Sequence, residues 1–151
     1  NVVWDNCSLY QKQELEKIQH EAARIATGAT KLVSLNELYK ETNWDSLELR
    51  RSNHKIILFH KMVHNLTPSY LSSLVPNFVY DYSRYNLRNS DNIRNVRSQT
   101  QLYFNSFLPS VISKWNALPE NIRNSNISTL KNYLHRNKKT PPTYEGCPRN
   151  S

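Results

Sequence analysis

The chain has 151 residues, enough for one domain with a buried core, and only two of them are Gly. So few Gly residues disfavour hairpin-rich β architecture and exclude a Gly-rich phosphate-binding loop. No apolar run reaches the roughly 18 residues of a membrane span, and no signal-peptide pattern opens the chain. We therefore expect no membrane partner.

The net charge of the chain, +8, is unevenly distributed. Residues 1–48 hold five Lys or Arg and eight Asp or Glu, a net charge of −3, whereas residues 49–151 hold fifteen and four, a net charge of +11. A block this basic attracts polyanions through counterion release. Two interpretations stay open: a nucleic-acid-binding surface, or a surface that only keeps the protein soluble.

The two cysteines, Cys7 and Cys147, lie near opposite ends and form neither a zinc motif nor a disulfide framework. We expect free thiols in a reducing compartment, which favours an intracellular location, nuclear or cytoplasmic. The chain begins with Asn1 rather than Met, so we expect a fragment of a longer polypeptide.

Capping signals predict the first two helices. The first covers residues 4–27: Ser8 and Gln11 form a capping box, and Gly28 ends the helix. The second begins after Ser34, with Glu37 completing its capping box, and ends near residue 43. The stripe of the first helix expected to face the core is Leu15, Ile18, Ala22 and Ile25.

A third helix is predicted from Asp45 to about residue 65, with Glu48 in its capping box and Trp44 as a hydrophobic staple. Its long apolar stripe indicates a position at the centre of a bundle. That stripe comprises Leu47, Ile56, Phe59, Val63 and Leu66. Its other faces are predicted to carry Arg50, Arg51, Lys55 and Lys61.

Helical periodicity stops after a short fourth helix over residues 67–74. Residues 77–102 have no sustained period of 3.6, and Tyr and Arg alternate there among many Asn and Ser. Turn-forming residues predominate, so this stretch is predicted to be an irregular basic insertion.

Large apolar side chains gather again in residues 103–119, where Pro109 fits a first helical turn and Pro119 stops the helix. A helix of two to three turns has no stability of its own, so it must dock, and we expect Trp115 to be buried against the first or third helix. We assign structural roles to Trp44, Phe107, Trp115, Leu118 and Pro119.

One more turn at residues 119–123 and a last helix capped by Ser128, with Leu130, Tyr133 and Leu134 on its apolar side, complete the order. The sequence thus predicts an all-α helical bundle in one domain, residues 1–137. It consists of a helical core (1–75), the basic Tyr/Arg segment (77–102) and docking helices (104–137). Residues 138–151 are predicted to be a mobile basic tail.

Catalytic signals are weak. His60 and His64 have the i, i+4 spacing of two metal ligands, but no third ligand is evident, so we expect no metal. Carboxylates after residue 48 are too few for a two-metal phosphoryl-transfer site, and no nucleophile elbow is present. We expect no catalytic residue, no cofactor and no small-molecule substrate.

The Tyr/Arg mixture at residues 80–97 is the main functional candidate, because tyrosine stacks on unpaired bases and arginine pairs with phosphate. The competing interpretation is that these tyrosines only pin an irregular loop to the bundle. The candidate nucleic-acid contacts are Arg50, Arg51, Lys55, Tyr80, Tyr82, Arg84, Tyr85, Arg88, Arg94 and Arg97.

Six blocks, in order, carry a resemblance to a known family. They are Leu15-Glu16-Lys17-Ile18-Gln19 with Ala22-Ala23-Arg24 and Gly28, Asn43-Trp44-Asp45-Ser46-Leu47 with Arg50-Arg51, Pro68-Ser69-Tyr70-Leu71, Asn86-Leu87-Arg88, Phe107-Leu108-Pro109 and Trp115-Asn116-Ala117-Leu118-Pro119. Together they resemble the C-terminal region of reverse transcriptases encoded by non-LTR retrotransposons of the jockey-like type. The resemblance spans residues 4 to about 134.

This resemblance implies a region beyond the polymerase palm and thumb, with the catalytic aspartates upstream. It implies RNA or DNA and the upstream polymerase domain of the same polypeptide as partners. We expect a non-catalytic nucleic-acid-binding module that assists RNA-templated DNA synthesis at a target site. The alternatives are a module that docks on the polymerase thumb and a degenerate copy of the element.

Overall fold

Eight α-helices account for most of residues 7–82 and 90–137, which are the residues that the computed structural model describes. The helices are α1 (Leu9–Thr27), α2 (Leu35–Thr42), α3 (Leu47–Val63), α4 (Ser69–Ser72), α5 (Gln101–Phe104), α6 (Phe107–Asn116), α7 (Glu120–Arg123) and α8 (Ile127–Arg136). No strand or sheet forms within these described ranges, so the prediction of an all-α bundle is confirmed. The expected tail, residues 138–151, lies outside them.

Local capping chemistry sets both ends of α1. The Ser8 amide donates to the Gln11 side chain over 3.1 Å, and the Gln11 amide donates to Ser8 Oγ over 3.3 Å, which is the predicted capping box. Gly28 ends the helix in the left-handed region at φ 67°. The predicted start at residue 4 is wrong, because Ser8 has an extended backbone and the helix begins at Leu9.

Two other predicted caps are off by one or two residues. Ser46, not Asp45, caps α3, since Ser46 Oγ accepts from the Leu49 amide over 3.2 Å. Asn126, not Ser128, caps α8, with its side-chain oxygen accepting from the Thr129 amide over 2.8 Å. In both cases the true cap lies three residues before an amide that lacks a helical partner, which is the geometry that capping requires.

The core surrounds α3, which contacts α1, α4, α6 and α8 and so has the predicted central position. Trp115 of α6 is 2% exposed and meets Phe59 edge to face at 5.7 Å between ring centroids. Its burial against the third helix is therefore confirmed. The main core cluster contains Ile56, Phe59, Met62, Ile93, Val111, Ile112, Trp115, Ile122, Leu130 and Leu134.

The other residues assigned structural roles differ in burial. Phe107 and Leu118 pack half-buried against the core, and the Phe107 ring lies 6.5 Å from that of Phe59. Pro119 is exposed and immediately precedes α7. Trp44 is 41% exposed and lies two residues before the true cap of α3, so the predicted staple at this position is wrong.

The packed face of α1 is not the predicted one. Gln19 and Ala23 are buried, whereas the apolar stripe at residues 15, 18, 22 and 25 faces outward. Polar contacts explain this orientation, because the Glu16 carboxylate accepts the Tyr39 hydroxyl over 2.7 Å and the Leu47 amide over 3.1 Å. The Gln19 side chain also donates to the Asp45 carbonyl over 2.9 Å. These contacts tie the polar side of α1 to α2 and to the beginning of α3.

Candidate nucleic-acid interface

The basic segment folds back on itself where the structure describes it. Phe78 and Ile93 form an isolated antiparallel bridge. The Val79 amide donates to the Asn92 carbonyl over 2.9 Å, and the Tyr80 amide donates to the Ser90 carbonyl over 3.1 Å. These bonds bring residues 78–80 beside residues 90–93, so side chains far apart in sequence share one surface.

Asn116, at the end of α6, fastens this segment to the bundle. Its side-chain oxygen accepts from the Ile93 amide over 3.0 Å, and its side-chain nitrogen donates to the Ile93 carbonyl over 2.8 Å. The Ile93 side chain is itself buried in the main core. Sequence reasoning assigned Asn116 no role, and the only available signal was an amide side chain directly after the core residue Trp115.

Arg123 of α7 makes a second attachment. Its Nη1 donates to the Asp91 carbonyl over 2.9 Å and to the Asn92 side-chain oxygen over 3.0 Å. This guanidinium therefore has a structural role, and its position in the basic half gave no indication of that.

Tyr82 and Arg94 form an exposed aromatic and cationic pair. The Arg94 guanidinium carbon lies 5.1 Å from the centroid of the Tyr82 ring, and both side chains face solvent. The Asn77 side chain donates to the Tyr82 hydroxyl over 3.2 Å, which helps to orient the ring. Among the described residues Arg94 forms no salt bridge. The pair thus presents an exposed ring beside a positive charge that no salt bridge within the described residues neutralises.

Tyr80 borders a small cleft that Tyr82 and Arg94 do not line. Its ring stacks on Phe78 with 5.2 Å between centroids and 10° between planes. The cleft has a volume of about 180 Å³ and is lined by Val63, Phe78, Tyr80, Asp91, Trp115, Glu120, Arg123 and Asn124. Because two carboxylates line it, an anionic phosphate is a poor occupant of the cleft itself.

The remaining candidate contacts separate into three groups. Arg97 and Arg50 are exposed, as a phosphate contact requires. Arg51 and Lys55 are only 8% and 4% exposed, so burial argues against their prediction as nucleic-acid contacts. Helix α3 is covered on several sides, and Lys55 Nζ donates to Ser110 Oγ of α6 over 3.1 Å. Arg84, Tyr85 and Arg88 lie outside the described residues.

His60 and His64 lie close together, with 4.2 Å between ring centroids, and the His60 ring also packs on Trp115 at 5.4 Å. Burial lowers the pKa of His60 to about 4, the neighbouring His64 adds to this effect, and a hydrogen bond with the Ser125 backbone opposes it. His64 Nε2 donates to the Arg123 carbonyl over 2.9 Å. Within residues 7–82 and 90–137 no group of three or more His, Cys, Asp or Glu could hold a metal ion.

Comparisons with protein-family models, with curated proteins and with solved structures found no match to this chain. In the described ranges no helix is both long enough and apolar enough to cross a bilayer. Function must therefore be argued from the residues and their geometry.

Proposed function

We propose that the chain is a nucleic-acid-binding module whose contact surface includes the exposed Tyr and Arg side chains of residues 80–82 and 90–97. The observation that carries this proposal is the Tyr82–Arg94 pair, an exposed ring beside an exposed guanidinium. Such a pair suits single-stranded nucleic acid, because the ring stacks on a base while the cation meets the adjacent phosphate.

The attachment of this surface to the core also supports binding. Residue 93 is buried and clamped by Asn116, and Arg123 holds residues 91 and 92. A surface fixed in this way loses less conformational entropy on binding than a free loop would. The net charge of +11 over residues 49–151 adds a long-range attraction for polyanions.

In the parent polypeptide, the resemblance to non-LTR retrotransposon reverse transcriptases gives this module a role. It would hold template RNA or target DNA while an upstream polymerase domain synthesises DNA. No residue of this chain is assigned to the chemistry.

The test is a salt titration of affinity for a labelled single-stranded RNA, measured by fluorescence anisotropy. Arg94→Gln and Arg97→Gln should each weaken binding and reduce the slope of log K against log salt by about 0.7. Tyr82→Leu, which removes the ring of the Tyr82–Arg94 pair, should cost about 1–3 kcal/mol with little change in that slope. The matched control is Lys131→Gln, which removes an exposed cation from α8. It should change the RNA affinity and the salt slope less than either arginine variant does.

Two outcomes would count against the proposal. If both arginine variants keep wild-type affinity and slope, the exposed side chains of residues 80–82 and 90–97 are not the binding surface. If Lys131→Gln has the same effect as the arginine variants, the chain attracts RNA only through its overall charge.

A further inference from the structure

Helix α1 presents an apolar stripe that no described part of the chain covers. Leu15 is 46% exposed, Ile18 66% and Ile25 82%, and Ala22 between them is also exposed. Their spacing of i, i+3, i+7 and i+10 is that of the a and d positions of a short coiled-coil seam. A contiguous exposed apolar surface of this kind marks an interaction site in a folded protein.

Hydrogen bonds and packing hold the opposite side of α1 against the bundle, so the stripe cannot turn inward without breaking them. Glu16 accepts hydrogen bonds from Tyr39 and from the Leu47 amide, Gln19 donates to the Asp45 carbonyl, and Ala23 is fully packed. Rotating the helix to bury the stripe would break each of these contacts. The stripe is therefore outward because the packed face of the helix is polar.

Acidic residues border one side of the stripe. With Leu15 and Ala22 at a positions, Glu14 and Glu21 fall at the two g positions. Each carboxylate pairs through one oxygen with a cation three residues later, Lys17 at 2.7 Å and Arg24 at 2.8 Å. The side chains of Glu14 and Glu21 stay 43% and 57% exposed, and each keeps one carboxylate oxygen outside its pair, so both can reach a partner's cation.

A second copy of the chain does not complement this border. In an antiparallel pair the g positions would face each other and bring glutamates together. In a parallel pair they would lie beside the e positions, which are Gln19, already buried against the Asp45 carbonyl, and Ala26, and neither carries a charge. The complementary occupant is a different helix with cations beside its apolar seam.

We propose that this stripe is a docking surface for an amphipathic helix of a partner polypeptide, with an apolar a/d seam flanked by Lys or Arg. This interaction goes beyond nucleic-acid binding, since it uses α1 rather than the Tyr/Arg segment. The chain would then join two partners on two separate surfaces.

The test uses two designed three-heptad peptides with the same Leu and Ile seam, one with Lys at e and g and the other with Glu. Anisotropy with the full chain should show the Lys peptide binding at least about tenfold more tightly. Ile18→Ser with Ile25→Ser should weaken that binding at least about tenfold, because both seam contacts are lost. Leu32→Ser, which alters a side chain 95% exposed and outside α1, is the matched control and should bind normally.

A second variant measures the contribution of the two glutamates to peptide binding separately from that of the apolar stripe. Glu14→Gln with Glu21→Gln should reduce the preference for the Lys peptide while keeping binding to both peptides, and this outcome supports the proposal. The far-UV circular dichroism spectrum and melting midpoint of the Ile18/Ile25 variant should match wild type, which shows that the variant is folded. Its RNA affinity should also be unchanged, because the two surfaces are separate.

Three results would overturn the proposal. The first is equal affinity for the Lys and Glu peptides, and the second is an equal loss in Leu32→Ser. The third is occupation of the stripe by something else. Sedimentation would show this as a dimer abolished by the Ile18/Ile25 change, and flotation would show it as binding to phosphatidylcholine vesicles abolished by the same change.

Discussion

Replacing Trp115 by Ala tests the packing on which the whole bundle depends. The indole is 2% exposed and packs on Phe59 and His60 of α3, at 5.7 and 5.4 Å between ring centroids. Removing a buried aromatic of this size costs about 3–5 kcal/mol through lost transfer free energy and the cavity left behind. For a chain of this length that corresponds to a fall in the melting midpoint of roughly 6–20 °C.

Thermal unfolding followed by far-UV circular dichroism measures this loss without using tryptophan fluorescence. Trp44→Ala is the matched control, because it removes the same side chain from a position that is 41% exposed. It should cost clearly less. Trp115→Phe should fall between wild type and Trp115→Ala, since a smaller ring still meets Phe59. The packing argument is refuted if Trp115→Ala leaves the midpoint unchanged, or if the two Ala variants lose the same stability.

Two further predictions concern pH and the clamp on the basic segment. The pKa of His60 falls from the ordinary 6.5 to about 4 on folding, so its neutral form stabilises the protein above pH 6.5. At most about 3 kcal/mol should be lost as pH falls from 6.5 towards 4, and denaturant titrations should show most of this loss absent in His60→Phe. Asn116→Ala removes both bonds to Ile93, so amide hydrogen exchange over residues 90–97 should accelerate more than in α3. The exposed control Asn132→Ala should leave that exchange unchanged, and equal exchange in both variants would exclude a clamp.

The candidate site was only partly predictable from the sequence. The mixture of Tyr and Arg indicated which segment to consider, since composition is a local property. The sequence did not show which Tyr and Arg side chains contact each other. Tyr82 and Arg94 are twelve positions apart and come together only because Phe78 forms a bridge with Ile93. Nor did the sequence show that Lys55 is buried under α6, because a charged side chain on a helix predicts exposure unless a neighbour covers it.

The sequence by itself indicated the long helices and set the caps of α1 at Ser8 and Gly28 and of α2 at Ser34, since capping acts within one turn of the chain. It misplaced the caps of α3 and α8 and did not indicate α5. It also indicated a central third helix and a buried Trp115, because large apolar side chains are stabilised when they are buried. Only the tertiary structure decided which face of α1 packs. Periodicity identifies an apolar stripe, but it does not say whether that stripe or the polar side meets the neighbouring helices. Glu16 and Gln19 make hydrogen bonds to α2 and to the beginning of α3, and because these bonds fix the orientation of α1, its apolar stripe faces outward.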